Sequence, residues 1–182
     1  MLSVICPIYN EAKYIDVCVQ SILLQDYPKQ QLEVLFVDGM SKDGTRDIVN
    51  NYSKQYPLIR LLNNEKRIVP VAMNIGIKAS IGDIVMRLDA HAQYPPNYFS
   101  VLVKELVRLR ADNVGVACKT DVLNKTSKTL AIREVLSNRF GVGNSTFRLG
   151  VDKVIEVDTV PFGCWKKDVF NKHGFYDERL IR

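Results

Sequence analysis

The amino-acid sequence predicts an α/β fold in which helices flank a mostly parallel β-sheet. Short apolar runs alternate with helical segments of about ten residues or more through the first half of the chain, as successive βαβ units require. Hydrophobic residues make up 47% and charged residues 25% of the 182 positions, which is the composition of an ordinary globular protein. A chain of this length can bury the core of one domain.

Strands and helices alternate regularly in the first half. Nearly continuous apolar runs predict strands at residues 2–7, 32–37, 59–62 and 83–88. Apolar residues spaced three and four positions apart predict helices at residues 12–25, 46–55, 69–79 and 97–109. Strands that are separated by helices pair in parallel, so we expect their carboxyl ends to meet at one edge of the sheet.

The second half is more irregular. The sequence predicts a strand at residues 114–120, a helix at 127–138, a glycine-rich polar loop at 140–150 and a short helix at 167–172. Two short apolar runs, at residues 154–157 and 159–164, lie between the loop and the last helix. We interpret this half as a mixed β and loop portion of the same domain.

Several classes of protein are excluded by absent motifs. The sequence contains no GxxxxGK[ST] phosphate loop, and its one Gly-x-Gly, at residues 141–143, follows a helical segment rather than a strand. The net charge of +5 comes from scattered lysines and arginines, which is compatible with phosphate-rich ligands or an anionic membrane surface. Without a basic stripe interleaved with aromatic residues, we expect no nucleic-acid partner.

The cysteines and the chain start indicate the compartment. The four cysteines form no Cys-x-x-Cys pair, and with only two histidines a zinc site is not expected. They indicate a reduced cytosolic compartment and stand at Cys6, Cys18, Cys118 and Cys164. Met1 is followed by a strand-like run rather than a basic leader, and no stretch has the ~18–20 apolar residues of a membrane span. The sequence therefore predicts a soluble chain without a signal peptide.

Polar clusters follow three of the predicted parallel strands, at residues 7–11, 38–45 and 89–91. Open α/β sheets bind ligands at this edge, so the clusters predict one binding site. Each also has a structural interpretation. Asn10 suits a helix N-cap, Ser41, Asp43, Gly44 and Thr45 suit a turn with a positive φ at Gly44, and Asp38 suits either a turn or a contact with ribose or a base.

Asp89 and His91 form the most informative pair. On an extended segment, side chains two residues apart point the same way. A carboxylate and an imidazole placed in this way can bind one Mn²⁺ or Mg²⁺ ion when diphosphate oxygens fill the remaining positions. The alternative is an acidic turn residue beside a surface histidine.

The three clusters together resemble a known family. The runs SVICPIYNE at residues 3–11, VDGMSKDGT at 37–45 and LDAH at 88–91 are similar to the inverting family 2 glycosyltransferases, which have the GT-A fold. The resemblance covers essentially the whole chain. Residues 67–74, 89–91 and 160–165 are similar to bacterial exopolysaccharide transferases of the succinoglycan type.

The resemblance implies a nucleotide-diphosphate sugar as donor. It implies that residues 1–95 form the half that binds this donor, with Asp89 and His91 holding the metal. Gly39 stands where many members have a second aspartate that helps to read uracil, so the base of the donor is left open. The implied donor contacts are Pro7, Tyr9, Glu11, Asp38, Arg67, Asn74, Asp89 and Ala90.

Residues 96–182 are then the half on the side of the acceptor, a polysaccharide or a lipid-linked saccharide. The resemblance places Gly163, Cys164 and Trp165 there, although a tryptophan in the core is an equal alternative for Trp165. The loop at residues 140–150 either covers the acceptor or is an ordinary surface loop. The family further implies a location at the inner face of the cell membrane, with membrane association through segments outside this chain.

The catalytic base is the remaining expectation. Inverting transfer needs a general base that takes the proton of the acceptor hydroxyl. The resemblance places this carboxylate just beyond Arg182, with Asp177 and Glu178 in the segment that leads to it. The sequence thus predicts a truncated domain that binds donor without turnover. Alternatives are a non-catalytic nucleotide-sugar-binding module and, less favoured without a glycine-rich basic loop after the first strand, a sugar-nucleotide nucleotidyltransferase.

Overall fold

The structure is a computed structural model that describes residues 1–117, 120–122, 124–143, 145–150, 153–157 and 159–180. The chain divides into two compact units. The first, called the sheet unit below, comprises Met1–Val114 and Cys164–Arg182. The second, called the inserted unit, is Gly115–Gly163, which lies in sequence between two strands of the sheet unit.

The sheet unit has six strands in the order β3-β2-β1-β4-β6-β5. The four parallel strands are β1 (Leu2–Ile8), β2 (Leu32–Asp38), β3 (Ile59–Asn63) and β4 (Ile84–Arg87), and β6 (Cys164–Lys166) runs antiparallel to both β4 and β5 (Asn113–Val114). The helices are α1 (Ile15–Leu23), α2 (Thr45–Gln55), α3 (Val69–Ala79), α4 (Tyr98–Arg108) and, after the inserted unit, α7 (Asp168–His173).

The core forms where the continuous apolar strands meet the apolar faces of the helices. Every residue of β2 is buried, because a parallel strand in the middle of a sheet is covered on both faces. Helix α3 packs directly against β1, and Gly76 makes this approach close: a Cβ there would lie 2.5 Å from Cγ2 of Ile5. One core cluster contains Ile5, Leu35, Val37, Ala72, Met73, Ile77, Val85 and Phe170.

The inserted unit contains short helical pieces. They are α5 (Ser127–Leu136), α6 (Arg139–Val142) and a 3₁₀ turn at Thr146–Arg148. A capping box between Thr126 and Thr129 fixes the start of α5, but no residue of α5 or α6 is buried. Among all the residues that the structure describes, no helix is long and apolar enough to cross a membrane.

The predicted α/β fold is confirmed, and the differences lie mainly in the second half. Helix α1 begins at Ile15 rather than at residue 12, since residues 12–14 form a turn. The strand predicted at 114–120 is wrong apart from Val114, although residues 118 and 119 lie outside the described part. The apolar run at 159–164 contributes only Cys164 to β6, and α6 occupies part of the predicted loop at 140–150. Residues 154–157 are exposed and form no strand.

Candidate functional site

The site lies at the edge of the sheet where the carboxyl ends of β1, β2, β3 and β4 meet. Strands β2 and β3 extend from one side of β1, whereas β4 pairs with its other side. The strand order therefore reverses at β1, and in open α/β sheets ligands bind in the crevice at such a point. A pocket of about 180 Å³ lies there. Among the predicted site residues it is lined by Pro7, Tyr9, Glu11, Arg67, Asp89, Ala90 and His91.

Tyr9 and Arg67 form a flat, cationic part of this pocket. The ring of Tyr9 is about half exposed, and the guanidinium carbon of Arg67 lies 6.0 Å from its centre. Gly39 lies against the same ring, since a Cβ at this position would be 3.1 Å from Cδ2 of Tyr9. An aromatic face beside a cation suits a planar base and its phosphates.

The loop after β1 is fastened to the loop after β2. The Asn10 amide donates to the Ser41 hydroxyl at 2.8 Å, and the Glu11 amide donates to the Thr45 hydroxyl at 2.8 Å. In return, the Lys42 amide donates to the Asn10 side chain at 3.0 Å. Asn10 therefore joins two loops and does not cap α1, which corrects that interpretation.

The turn at the start of α2 matches its structural interpretation. Gly44 has a φ of 97°, as predicted. The Thr45 amide donates to the Asp43 carboxylate at 3.1 Å, and the Ala12 amide donates to the same carboxylate at 3.0 Å. The hydrogen bond from the Thr45 hydroxyl, together with these two amide hydrogen bonds, holds the pKa of Asp43 below its usual value.

Three non-glycine residues of these strand-end loops have left-handed backbones. The φ angles are 55° at Asn10, 64° at Met40 and 60° at Arg67. For most L-residues this conformation costs about 1–2 kcal/mol, and it concentrates at functional sites. Its occurrence in the loops after β1, β2 and β3 supports this edge as the site.

Asp38 lies behind the pocket rather than in its lining. Its side chain is fully buried, and Arg46 Nη1 lies 2.5 Å from Oδ2. The amide and hydroxyl of Ser41 also donate to this carboxylate, at 3.0 and 2.5 Å. These contacts make Asp38 the anchor of the loop after β2, and its contact with a nucleoside stays a prediction.

Asp89 and His91 lie in the pocket, but not on an extended strand as predicted. Strand β4 ends at Arg87, and Asp89 begins a turn in which the Ala92 amide approaches the Asp89 carbonyl at 3.4 Å. The guanidinium of Arg87 donates twice to Oδ1 of Asp89, at 3.2 and 3.1 Å. His91 Nδ1 lies 3.2 Å from Oε1 of Glu11.

Tyr94 holds the backbone of Asp89 from two directions. The Asp89 amide donates to the Tyr94 hydroxyl at 2.8 Å, and this hydroxyl donates to the Asp89 carbonyl at 3.0 Å. The Tyr94 side chain is buried, which raises its pKa and keeps the hydroxyl protonated. Sequence reasoning missed both Tyr94 and Arg87, because neither belongs to the polar triplet.

The pocket residues can bind a divalent cation only if a bound ligand supplies further coordinating atoms. Among the residues that the structure describes, no three His, Cys, Asp or Glu side chains are grouped closely enough to hold a metal ion. Asp89 Oδ2 and His91 Nε2 nevertheless have no partner in the described part of the chain. One oxygen and one nitrogen suit Mn²⁺ or Mg²⁺ if diphosphate oxygens complete the coordination.

Asn64 is a pocket residue that sequence reasoning missed. It is 2% exposed, its amide nitrogen donates to the Ile68 carbonyl at 3.0 Å, and its Oδ1 is buried without a hydrogen-bond partner. A buried unpaired acceptor costs about 1–3 kcal/mol, so it favours a ligand that donates to it. The available signal was its place directly after β3, the one parallel strand end to which no cluster had been assigned.

Asn74 does not line the pocket. It is 4% exposed, and its side-chain amide exchanges two hydrogen bonds of 2.9 Å with the backbone of Tyr176. The amide also donates to Glu178 at 3.1 Å, and Lys66 lies 3.0 Å from the same carboxylate. These two donors hold the pKa of Glu178 below its usual value. Asn74 thus fastens residues 176–178 to α3, and its donor contact stays a prediction.

The predicted acceptor-side residues differ in their surroundings. Cys164 is fully buried in β6, and burial raises the pKa of its thiol to about 12. Trp165 is half-buried against the core cluster, with its ring centre 5.7 Å from that of Phe170. Gly163 is the last residue of the inserted unit and has a φ of 67°. The packing of Trp165 supports the core alternative, and the acceptor contact stays a prediction.

Comparison with known proteins identifies the family. The model of the family described as "Glycosyl transferase family 2" matches residues 3–174 of this chain. The chain belongs to glycosyl transferase family 2. A relative from Methanococcus voltae, dolichyl N-acetyl-alpha-D-glucosaminyl phosphate 3-beta-D-2,3-diacetamido-2,3-dideoxy-beta-D-glucuronosyltransferase, is 32% identical over 185 residues, which cover 100% of this chain and 54% of that protein.

Two further comparisons bear on the resemblance and the fold. Succinoglycan biosynthesis protein ExoA of Rhizobium meliloti (strain 1021) is 32% identical over 150 residues, which cover 81% of this chain and 44% of ExoA. The structure of mannosyltransferase PcManGT from Pyrobaculum calidifontis, in complex with GDP-Man and Mn²⁺, has a TM-score of 0.68 and 24% identity over 97% of this chain and 47% of that one. The predicted GT-A fold and the succinoglycan-type resemblance are confirmed. The chain spans about half the length of the curated relatives that it matches.

Proposed function

We propose that this family 2 domain binds a nucleotide-diphosphate sugar in the pocket at the reversal point of the sheet. The sugar would be transferred from this donor to a polysaccharide or lipid-linked acceptor, with inversion of the anomeric configuration. One observation carries the proposal: the ends of β1, β3 and β4 bring an aromatic ring, two arginines, two carboxylates and a histidine into one pocket. Relatives named as glycosyltransferases support the same class of reaction.

The nucleoside belongs at the β1–β3 side of the pocket. Tyr9 offers a ring face, and Arg67 offers a charge beside it. The unpaired Oδ1 of Asn64 accepts only, because the orientation of the amide is fixed by the hydrogen bond to Ile68. A ligand atom that meets it must therefore donate, as the ring N–H of uracil or guanine does and the ring nitrogens of the adenine base do not.

The diphosphate belongs at the β4 side. Arg87 can offer a guanidinium to phosphate oxygens while it holds Oδ1 of Asp89. Asp89 Oδ2 and His91 Nε2 would hold Mn²⁺ or Mg²⁺, and the carboxylate of Glu11 on Nδ1 would orient the imidazole. The metal would act as a Lewis acid toward the leaving diphosphate. The mannosyltransferase structure that contains GDP-Man and Mn²⁺ supports this assignment by analogy.

Neither pocket carboxylate is assigned as the general base. Glu11 lies against His91, and Asp89 is held by Arg87, so both have positioning roles in this proposal. The proposed place of action is the inner face of the cell membrane, where lipid-linked acceptors are available to a cytoplasmic enzyme. The dolichyl phosphate in the name of the Methanococcus voltae relative supports such an acceptor.

Isothermal titration calorimetry with nucleotide diphosphates and nucleotide sugars tests the proposal without requiring turnover. We expect binding of UDP or GDP derivatives in the presence of Mn²⁺ and weaker binding after chelation. Binding of Mn²⁺ alone should be weak, because the described pocket residues offer it two ligands, Asp89 Oδ2 and His91 Nε2. Asp89→Asn and His91→Ala should each weaken Mn²⁺-dependent binding by about tenfold or more.

The matched control is Asp83→Asn, which removes an exposed carboxylate just before the opposite end of β4. It should leave nucleotide affinity unchanged. Absence of nucleotide binding with any base, in Mn²⁺ or Mg²⁺, would refute the donor site. Unchanged affinity in His91→Ala would refute the metal role while leaving the donor site in place.

A further inference from the structure

The inserted unit exposes an unusual share of apolar side chains. Helix α5 buries none of its residues, and Ile132 and Val135 on it are exposed. Phe140, in α6, is fully exposed. A helix of ten residues is marginal in water, and its stability depends mostly on packing of its apolar face. These side chains are therefore available to a partner.

Positive charge accompanies these apolar residues. Residues 124–150 contain five basic residues and Glu134 as the single acid, and among the residues that the structure describes none of these cations forms an ion pair within 4.0 Å. The basic residues are Lys125, Lys128, Arg133, Arg139 and Arg148. In the sheet unit, by contrast, many charges are paired, as in Arg46–Asp38 and Arg108–Glu105. Unpaired cations favour a partner with negative charge.

We propose that residues 124–143 and 145–150 form a docking surface for an anionic lipid bilayer. Phe140, Ile132 and Val135 would enter the boundary between headgroups and acyl chains, and the basic residues would contact the phosphates of the lipids. Basic segments with exposed apolar residues bind anionic membranes in the plane of the interface, without spanning it. The family resemblance implies membrane association only through segments outside this chain, whereas this docking surface would place part of that association in the chain itself.

A vesicle co-sedimentation experiment with the whole 182-residue chain tests the surface. The vesicles contain either phosphatidylcholine alone or about 30 mol% phosphatidylglycerol, near the anionic content that attracts basic segments. We expect the partition coefficient to be on the order of tenfold higher on the anionic vesicles, and to fall as salt screens the charges. The triple variant Lys125→Gln/Lys128→Gln/Arg139→Gln should lose most of this preference.

The matched control is Lys13→Gln/Lys54→Gln/Lys104→Gln, which removes the same charge from exposed positions of the sheet unit. It should bind anionic vesicles as the parent does. Phe140→Ser should lower partitioning by about tenfold, whereas Leu24→Ser, at another exposed apolar position, should not. Because all these side chains are exposed, the variants should keep the far-UV circular dichroism of the parent.

Three results would overturn the proposal. The first is absence of binding to anionic vesicles. The second is an equal loss in the control triple variant, which would show attraction by net charge alone. The third is self-association without lipid that Phe140→Ser abolishes, which would show that a second copy of the chain covers this surface. The experiment requires no nucleotide, so its outcome is independent of the proposed donor site.

Discussion

Replacing Arg46 by methionine leaves the buried carboxylate of Asp38 without its cationic partner. In the intact protein Arg46 Nη1 lies 2.5 Å from Oδ2 of a side chain with no exposed surface. Removing one partner of a buried ion pair typically costs about 3–5 kcal/mol, because the remaining charge is uncompensated. The amide and hydroxyl of Ser41 still donate to Asp38, so we expect a loss near the lower end, about 3 kcal/mol in the free energy of unfolding.

Urea unfolding followed by the fluorescence of Trp165 measures this loss. Trp165 is the single tryptophan and is half-buried in β6, so its emission should report unfolding of the sheet unit. The double variant Asp38→Asn/Arg46→Met should recover part of the loss, because a neutral amide replaces the unpaired charge. Arg108→Met breaks an exposed pair with Glu105 and should leave the unfolding midpoint nearly unchanged.

The outcome separates two roles for Asp38. A loss below about 1 kcal/mol in Arg46→Met would refute the view that this pair anchors the loop after β2. If nucleotide affinity fell in Asp38→Asn while stability stayed constant, the carboxylate would be available to a ligand. That result would favour the contact with the nucleoside that the family resemblance implies over the structural role that the contacts with Arg46 and Ser41 indicate.

Three further changes have defined outcomes. Tyr94→Phe removes the hydroxyl that holds the Asp89 backbone. Calorimetry should therefore show that the Mn²⁺-dependent affinity for nucleotide falls by about three- to tenfold. An unchanged affinity would contradict this positioning role. Gly76→Ala places a Cβ 2.5 Å from Cγ2 of Ile5. The overpacking should cost about 1–3 kcal/mol and exceed the helix-propensity gain of roughly 1 kcal/mol, so the free energy of unfolding should fall. A more stable variant in urea unfolding would contradict this close packing. For Glu178, whose pKa is lowered in the folded state, the stabilising contribution is present above its usual value of 4.5 and is lost as the pH falls through the lowered value. The melting temperature of Glu178→Gln should therefore be below that of the parent near neutral pH and should converge with it in acid, and a constant difference would contradict the linkage.

The first half of the fold could be predicted from local pattern. Helix α3 has the bounds that apolar spacing predicts, and each parallel strand lies within a residue of its apolar run. Strands β1 and β2 are buried on both faces, so the apolar pattern carries most of the information about them. Strand β6 differs, because antiparallel pairing with β4 and β5 defines it, and this pairing leaves no signal in the residues of the strand itself.

The candidate site could be located from the sequence more reliably than its contacts could be assigned. Parallel pairing brings the clusters after β1, β2 and β4 to one edge, whatever their side chains do. Whether Asp38 faces a ligand or Arg46 depends on rotamers and on the next helix, which the motif does not specify. Asn64 and Asn74 show the same limit, since one of these asparagines lines the pocket and the other fastens a distant segment.

The position of β6 has a consequence for how the chain folds. Its residues lie about 80 positions after their partners in β4, yet the strand lies inside the sheet, between β4 and β5. Until it arrives, one edge of β4 exposes unpaired backbone groups, and such edges recruit other chains. Contacts between distant residues also form slowly. During synthesis, the pocket residues up to His91 emerge long before the sheet can close, so insertion of β6 should be the late step at which productive folding competes with aggregation.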